Sequence, residues 1–175
     1  FDVTEDKTWM KESFNLRASS YDKHLPAWKY LNVSIVEPKF IPLMSVPYSM
    51  LSNLDNLIID LLKFIKTLHL TVDLILFDRG FYHAHLIDFM ESENFPYLIL
   101  VPENKKIKKF IEKTDSFNFF NHEINYKKDK SSWKISTTIM IKRVDEKVCW
   151  CYATNQKPSL KLCREYSKRW NIETG

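Results

Sequence analysis

The closing stretch REYSKRWNIETG carries three side chains whose types and spacing could serve chemistry. Tyr166, Arg169 and Glu173 are three and four residues apart, so on a helix they share one stripe about 10 Å long. An arginine can grip a phosphate with two hydrogen bonds, and a tyrosine can donate one to it. The other interpretation is a solvated face with an Arg169–Glu173 ion pair, which would contribute only about 0.2–0.5 kcal/mol. The spacing alone leaves both open.

A second candidate is Asp78, which directly follows the apolar run VDLILF. Open α/β sheets place their ligands at the carboxyl ends of buried strands. An ionised carboxylate among apolar neighbours needs a cation or hydrogen bonds, and the adjacent Arg79 could supply the cation. Gly80 allows a sharp turn at this point. A functional carboxylate and a helix-capping aspartate are equally good interpretations of the position.

These residues need elements to position them, and the first predicted element is an antiparallel hairpin. Residues 28–36 and 39–47 are rich in β-branched and aromatic side chains, with Glu37-Pro38 between them. Pro42 predicts an edge or irregular position in the second strand.

A helix is predicted next, over residues 51–70, because apolar residues recur there at steps of three and four. Ser52, followed three residues later by Asp55, is a capping signal for its start. Core packing is the expected role of its apolar stripe.

The middle of the chain predicts a strand, a helix and a second strand, over residues 72–77, 81–94 and 97–101. Short joints between these elements favour a βαβ unit with parallel strands and a right-handed crossover.

A polar segment follows: residues 103–134 contain nine lysines against five acids. Residues 133–143 and 148–155 then predict two strands, and Pro158-Ser159 opens a final helix that runs to the end of the chain. The predicted architecture is mixed α/β.

Composition sets broad limits on the class of protein. The chain has 175 residues, a formal net charge of +4, 45% hydrophobic residues and only two glycines. These values are typical of one soluble globular domain, and the mild positive charge permits a polyanionic partner. No apolar run approaches the roughly 20 residues of a membrane span, and the odd cysteine count predicts a reduced, cytosolic setting.

Several stretches together resemble the DDE-class insertion-sequence transposases of prokaryotes, which carry a Tyr-Arg-Glu-Lys signature. The signature's Tyr-x2-Arg-x3-Glu part is similar to YSKRWNIET. Strands that lead to the family's acids, with the helix and strand after the second one, are similar to FDVTED, LILFDRGFYHAHLIDFMESENFPYLILVP and CYATN. The resemblance runs nearly end to end in the family's order.

The resemblance implies a ribonuclease-H-like fold: a mixed sheet with flanking helices and a strand-rich insertion, about 103–155, before the last helix. It implies that Asp2, Asp78 and Glu173 are the catalytic and metal-binding acids. Three such carboxylates could hold two Mg²⁺ or Mn²⁺ ions. Tyr166 and Arg169 would lie near the transposon-end DNA. Basic residues expected to contact DNA phosphate include Arg79, Lys105 and Lys106.

The expected function is hydrolysis of DNA at transposon ends and joining of the freed 3′-hydroxyl to target DNA. Double-stranded DNA is the expected partner, and the DNA complex could contain a homodimer. No membrane association is expected, and the expected location is the cytoplasm of a prokaryote. Two alternatives stay open: an inactive or domesticated remnant that binds DNA without cutting it, and a host nuclease of the same fold.

Departures from the family pattern also belong to the prediction. The signature lysine would fall seven residues after Glu173, beyond Gly175, and no DNA-binding region precedes Phe1. Residues 1–175 are therefore expected to be a single catalytic core, truncated at both ends. Glu5 and Asp6 are nearby acids that could be mistaken for Asp2.

Two weaker patterns predict no chemistry. Cys149 and Cys151 share a face of a strand, but no second pair completes a zinc site. His83 and His85 diverge on a helix and are expected to have surface or packing roles.

Overall fold

A computed structural model describes residues 1–7, 17–18, 26–49, 52–128, 131–146 and 148–170. Its strands are β1 (Asp2–Lys7), β2 (Arg17–Ala18), β3 (Pro26–Ile35), β4 (Ile41–Tyr48), β5 (Ile75–Phe77), β6 (Tyr97–Leu100), β7 (Phe117–Lys128), β8 (Ser131–Arg143) and β9 (Cys149–Thr154). Its helices are α1 (Leu54–Thr67), α2 (Ala84–Ser92), α3 (Lys105–Ile111) and α4 (Leu160–Glu165), with 3₁₀ segments at Arg79–Phe81 and Tyr166–Trp170.

The first sheet is built around β3, which pairs antiparallel with β1, β2 and β4. The predicted hairpin of β3 and β4 is confirmed. Its register shifts between Val33 and Ser34, where Ser34 faces Pro42. Proline has no N–H to donate to the ladder, so the predicted irregularity at Pro42 has a direct physical cause.

Helix α1 lies within the predicted range, but its cap differs from the prediction. The side chain of Asn53 accepts a hydrogen bond from the Asn56 N–H at 3.1 Å and caps the helix. Ser52 instead accepts from the Ser49 N–H at 3.0 Å, so the predicted Ser52 cap is wrong. Serine and asparagine are both good N-cap residues, and Asn53, not the Ser52 predicted, takes this position.

The second sheet has the strand order β5-β6-β9-β8-β7. Strands β5 and β6 are parallel and α2 connects them, so the predicted βαβ unit is confirmed. The other pairs in this sheet are antiparallel. All three residues of β5 are buried, as expected for a strand covered on both faces.

The segment between β6 and the last helix contains more structure than its composition indicated. Strands β8 and β9 match the two predicted runs, whereas α3 and β7 were not predicted as separate elements. The Arg143 side chain ties α3 to β8, because it donates 2.8 Å hydrogen bonds to the Thr114 and Ile111 carbonyl oxygens.

The final helix begins as predicted, because the Ser159 side chain accepts from the Leu162 N–H at 3.1 Å. The prediction of one continuous α-helix is wrong within the described residues. The chain tightens to a 3₁₀ segment at Tyr166–Trp170. Residues three apart align on a 3₁₀ helix, so Tyr166 and Arg169 still share one face.

The two sheets share one apolar core, which includes Leu31 and Val33 of β3, Ile58 and Leu62 of α1, and Phe77 of β5. The architecture is mixed α/β, as predicted, and is compatible with a ribonuclease-H-like fold.

Candidate active site

Asp2 lies beside the end of β5, where the two sheets meet. The main-chain nitrogen of Phe1 donates to the Leu76 carbonyl oxygen at 3.1 Å, and the Phe1 ring stacks on Phe77 with centroids 4.9 Å apart. Asp2 is therefore held close to the residue that follows β5, which is Asp78. Its side chain is 18% exposed.

Asp78 stands directly after β5, at the N-cap position just before the 3₁₀ segment Arg79–Phe81. Its side chain makes no capping hydrogen bond, so the capping interpretation of this aspartate is wrong. The carboxylate remains partly exposed, at 41% of its side-chain area. A Cβ added to Gly80 would meet nothing within 4 Å, so close packing does not require a glycine at this position.

Arg169 joins the two aspartates. Its Nη1 lies 3.3 Å from Asp2 Oδ1 and its Nη2 lies 4.0 Å from Asp78 Oδ1. The guanidinium is within 4.8 Å of the Trp170 ring centroid, and only 4% of the arginine side chain is exposed. One cation thus faces two carboxylates from different elements, which offsets their mutual repulsion. We had expected Arg79 to supply this charge; its side chain is exposed.

Tyr166 reaches the same cluster from the preceding turn. Its hydroxyl donates to Asp78 Oδ1 at 3.4 Å, and its ring packs 5.1 Å from the Tyr152 ring. Burial raises the pKa of Tyr166 well above its ordinary value, while nearby Arg169 lowers it less. The phenol therefore stays protonated and can act as a hydrogen-bond donor at neutral pH.

The chain also matches a known protein family. The sequence model of the transposase DDE domain family matches residues 55–175, more than half of the chain. The chain belongs to the transposase DDE domain family. A transposase-type function follows from this membership, and the family's enzymes generally use divalent metal ions. No curated protein matches the chain.

Within the transposase domain, the matched range includes Asp78, Tyr166, Arg169 and Glu173 and begins after Asp2. The family match therefore does not cover Asp2, and the argument for placing Asp2 in the site is its contact with Arg169. Glu173 lies outside the residues that the structure describes. Glu5 forms an ion pair with Lys29 at 2.8 Å.

Glu173, the third predicted metal-binding acid, lies outside the described residues. Among the residues that the structure describes, no three His, Cys, Asp or Glu side chains lie together as a metal site. The chemistry of the acid pair nevertheless fits a divalent ion, since two carboxylate oxygens converge on one cation and Mg²⁺ prefers oxygen ligands.

The 3₁₀ segment Tyr166–Trp170, called the signature segment below, contacts the β3–β4 hairpin through an ion pair. Lys168 Nζ lies 2.5 Å from Glu37 Oε2, in the turn between β3 and β4, and also contacts Glu165. This ion pair connects the residue next to Arg169 with the hairpin. The sequence shows that a lysine precedes Arg169, but it does not indicate that Glu37 is the partner of this lysine.

The other predicted DNA contacts lie outside the acid pair. Lys105 and Lys106 are exposed in the first turn of α3. Within the described ranges, no hydrogen bond or ion pair links Arg79, Lys105 or Lys106 to either aspartate.

The weaker sequence patterns have structural explanations. His83 Nδ1 lies 2.7 Å from Asp55 Oδ1, and this hydrogen bond raises the pKa of His83. Cys149 and Cys151 are both free thiols on β9. No helix in the described parts of the chain is long and apolar enough to cross a membrane.

Proposed function

We propose that this transposase domain hydrolyses phosphodiester bonds at transposon ends and transfers the freed 3′-hydroxyl to target DNA. The observation that carries the proposal is the meeting of Asp2 and Asp78 at Arg169, from the beginning and the middle of the chain. Residues 1–175 would form one catalytic core, with about 103–155 as an insertion before the signature segment. Structural acids gain little from such crowding, whereas metal-binding acids require it.

In this proposal Asp2, Asp78 and Glu173 would hold two Mg²⁺ or Mn²⁺ ions. When bound, such ions activate a water or a 3′-hydroxyl and stabilise the leaving oxygen. The protein's part is to hold the acids on separate elements at a fixed spacing. The buried Tyr166 hydroxyl keeps one Asp78 oxygen oriented.

The basic side chains would position the DNA. Arg169 would grip a phosphate near the scissile bond, and Arg79, Lys105 and Lys106 would contact phosphates farther along the duplex. These contacts read charge rather than sequence, so binding should weaken steeply with salt. The partner is double-stranded DNA in a prokaryotic cytoplasm, and a homodimer would pair two transposon ends.

The test is cleavage of a labelled duplex that carries the inverted repeat flanking the coding sequence, in Mn²⁺. Asp78→Asn should lower the rate at least about a hundredfold, because loss of a metal ligand costs several kcal/mol of transition-state stabilisation. Asp60→Asn is the matched control, since Asp60 is an exposed α1 carboxylate whose Lys63 partner is 3.9 Å away. Unchanged cleavage by Asp78→Asn would refute the proposal.

The same assay separates the two alternatives. Salt-sensitive binding without Mn²⁺-dependent cleavage would identify a DNA-binding remnant. Cleavage with no preference for the inverted repeat would identify a nuclease of the same fold.

A further inference from the structure

Arg169 is too deeply buried between the aspartates to contact a DNA phosphate in this conformation. In this structure its Nη1 and Nη2 atoms face Asp2 and Asp78, and its side chain is almost completely buried. A phosphate approaching from solvent would not reach that guanidinium. For Arg169 to bind DNA, its side chain must first leave the acid pair.

We propose that Arg169 is a latch that couples metal binding to DNA binding. Without DNA, its guanidinium neutralises Asp2 and Asp78 and competes with divalent ions for their oxygens. A DNA phosphate draws the guanidinium away and frees the acids for metal. The inference rests on the proposed function, since it requires the metal site to include Asp2 and Asp78.

Competition follows from the atoms involved. Arg169 approaches Oδ1 of both aspartates, at 3.3 and 4.0 Å. A Mg²⁺ ion must come within about 2.0–2.1 Å of its carboxylate ligands. A divalent cation placed there would repel the guanidinium, so the two cannot occupy the acid pair together.

The latch requires the Arg169 side chain to move while its backbone stays in place. Its contacts with the aspartates, at 3.3 and 4.0 Å, are longer than the roughly 2.7–2.9 Å of strong charge-assisted hydrogen bonds. Just before it in sequence, Tyr166 is buried and Lys168 forms an ion pair with Glu37. Trp170, whose ring already lies under the guanidinium, is 44% exposed and marks the direction of solvent.

The experiment measures Mn²⁺ binding to the full chain from the magnetic-resonance signal of free Mn²⁺, with and without a short DNA duplex. Wild-type protein should bind Mn²⁺ about tenfold more tightly with the duplex, a usual size for coupling between two sites. Arg169→Gln should bind tightly without DNA and respond little to it. The duplex itself also binds Mn²⁺. This background is measured with the Asp78→Asn protein plus duplex and subtracted.

Arg164→Gln is the matched control. Arg164 is an exposed arginine of α4, and its loss changes the net charge equally, so this variant should behave like wild type. Wild-type protein alone can refute the latch, so the test does not depend on the folding of Arg169→Gln.

Equal Mn²⁺ affinity of wild-type protein with and without DNA would overturn the latch. If cleavage still depended on Asp78, the proposed function would stand without it. Absence of any Asp78-dependent Mn²⁺ binding, together with normal cleavage by Asp78→Asn, would remove both.

Discussion

At the scale of single residues, Tyr166 shows how packing and polarity are combined in one side chain. Its ring is buried against Tyr152, and its hydroxyl meets the carboxylate of Asp78. Burial keeps the hydroxyl protonated, so it donates to the carboxylate instead of repelling it. The ring supplies stability, and the hydroxyl supplies orientation at the acid pair.

The two contributions can be separated by substitution. Tyr166→Phe keeps the ring and removes one long hydrogen bond, so unfolding should become easier by about 0.5–1 kcal/mol. Tyr166→Ala removes the buried ring and should cost about 3–5 kcal/mol. Urea unfolding of both variants measures the difference, and equal losses would show that the hydroxyl, not the ring, stabilises the segment.

At the scale of elements, α1 and α2 are linked by the His83–Asp55 hydrogen bond at the start of α2. The histidine precedes the helix, and the aspartate lies in the first turn of α1. Because the bond raises the pKa of His83, the charged imidazole is favoured in the folded protein. This link therefore depends on pH.

The sign of that dependence is fixed. With a raised folded pKa, the stabilisation is complete below the unfolded pKa of about 6.5 and disappears as pH rises through the folded value. The free-energy gap between wild type and His83→Gln should therefore be larger at about pH 5.5 than at about pH 8.5. Urea unfolding at both values measures it. In an Asp55→Asn background the gap should lose its pH dependence, and a gap that grows with pH would contradict the assignment.

Local patterns predicted elements wherever one pattern dominated. The apolar run before Asp78 predicted a strand and the apolar period of residues 51–70 predicted a helix. The structure has β5 and α1 at these places. Strand β7 was missed because its asparagines and lysines disfavour strands, and its pairing with β8 overrides that preference. The seven-residue α3 is too short for its period to stand out.

The acid pair was predictable only in part. Asp78 follows from its place after a buried strand, and Asp2 came from the family resemblance. The contact of Arg169 with Asp2 joins residues 167 positions apart, so no local pattern could contain it. Whether Glu173 joins them remains a prediction, since it lies outside the described residues.

At the scale of the whole molecule, the site depends on the junction of the two sheets. Asp2 belongs to one sheet and Asp78 follows a strand of the other. The Phe1–Phe77 stack and the Phe1–Leu76 hydrogen bond join them beside the acids. A change at this junction should disturb the site even where both sheets remain folded.

Phe77→Ala tests this dependence. Loss of the fully buried ring should destabilise the fold by about 3–5 kcal/mol and lower Mn²⁺-dependent cleavage at temperatures where the protein stays folded. Phe119→Ala is the matched control, because that ring is 53% exposed and its loss should cost under about 1 kcal/mol. Thermal unfolding and the cleavage assay are the measurements. Full cleavage by folded Phe77→Ala would show that the acids do not depend on the junction.

The prolines of β4 have a consequence for handling the protein. Among the described residues, β4 pairs only with β3, which makes it an edge strand of that part of the sheet. Exposed Ile41 and Leu43 would favour association with another molecule. Prolines in an edge strand disfavour regular pairing, so Pro42 and Pro47 make β4 a poor template for a strand from another molecule. The strand whose register shifts at Pro42 is thus also one whose prolines disfavour aggregation by strand pairing.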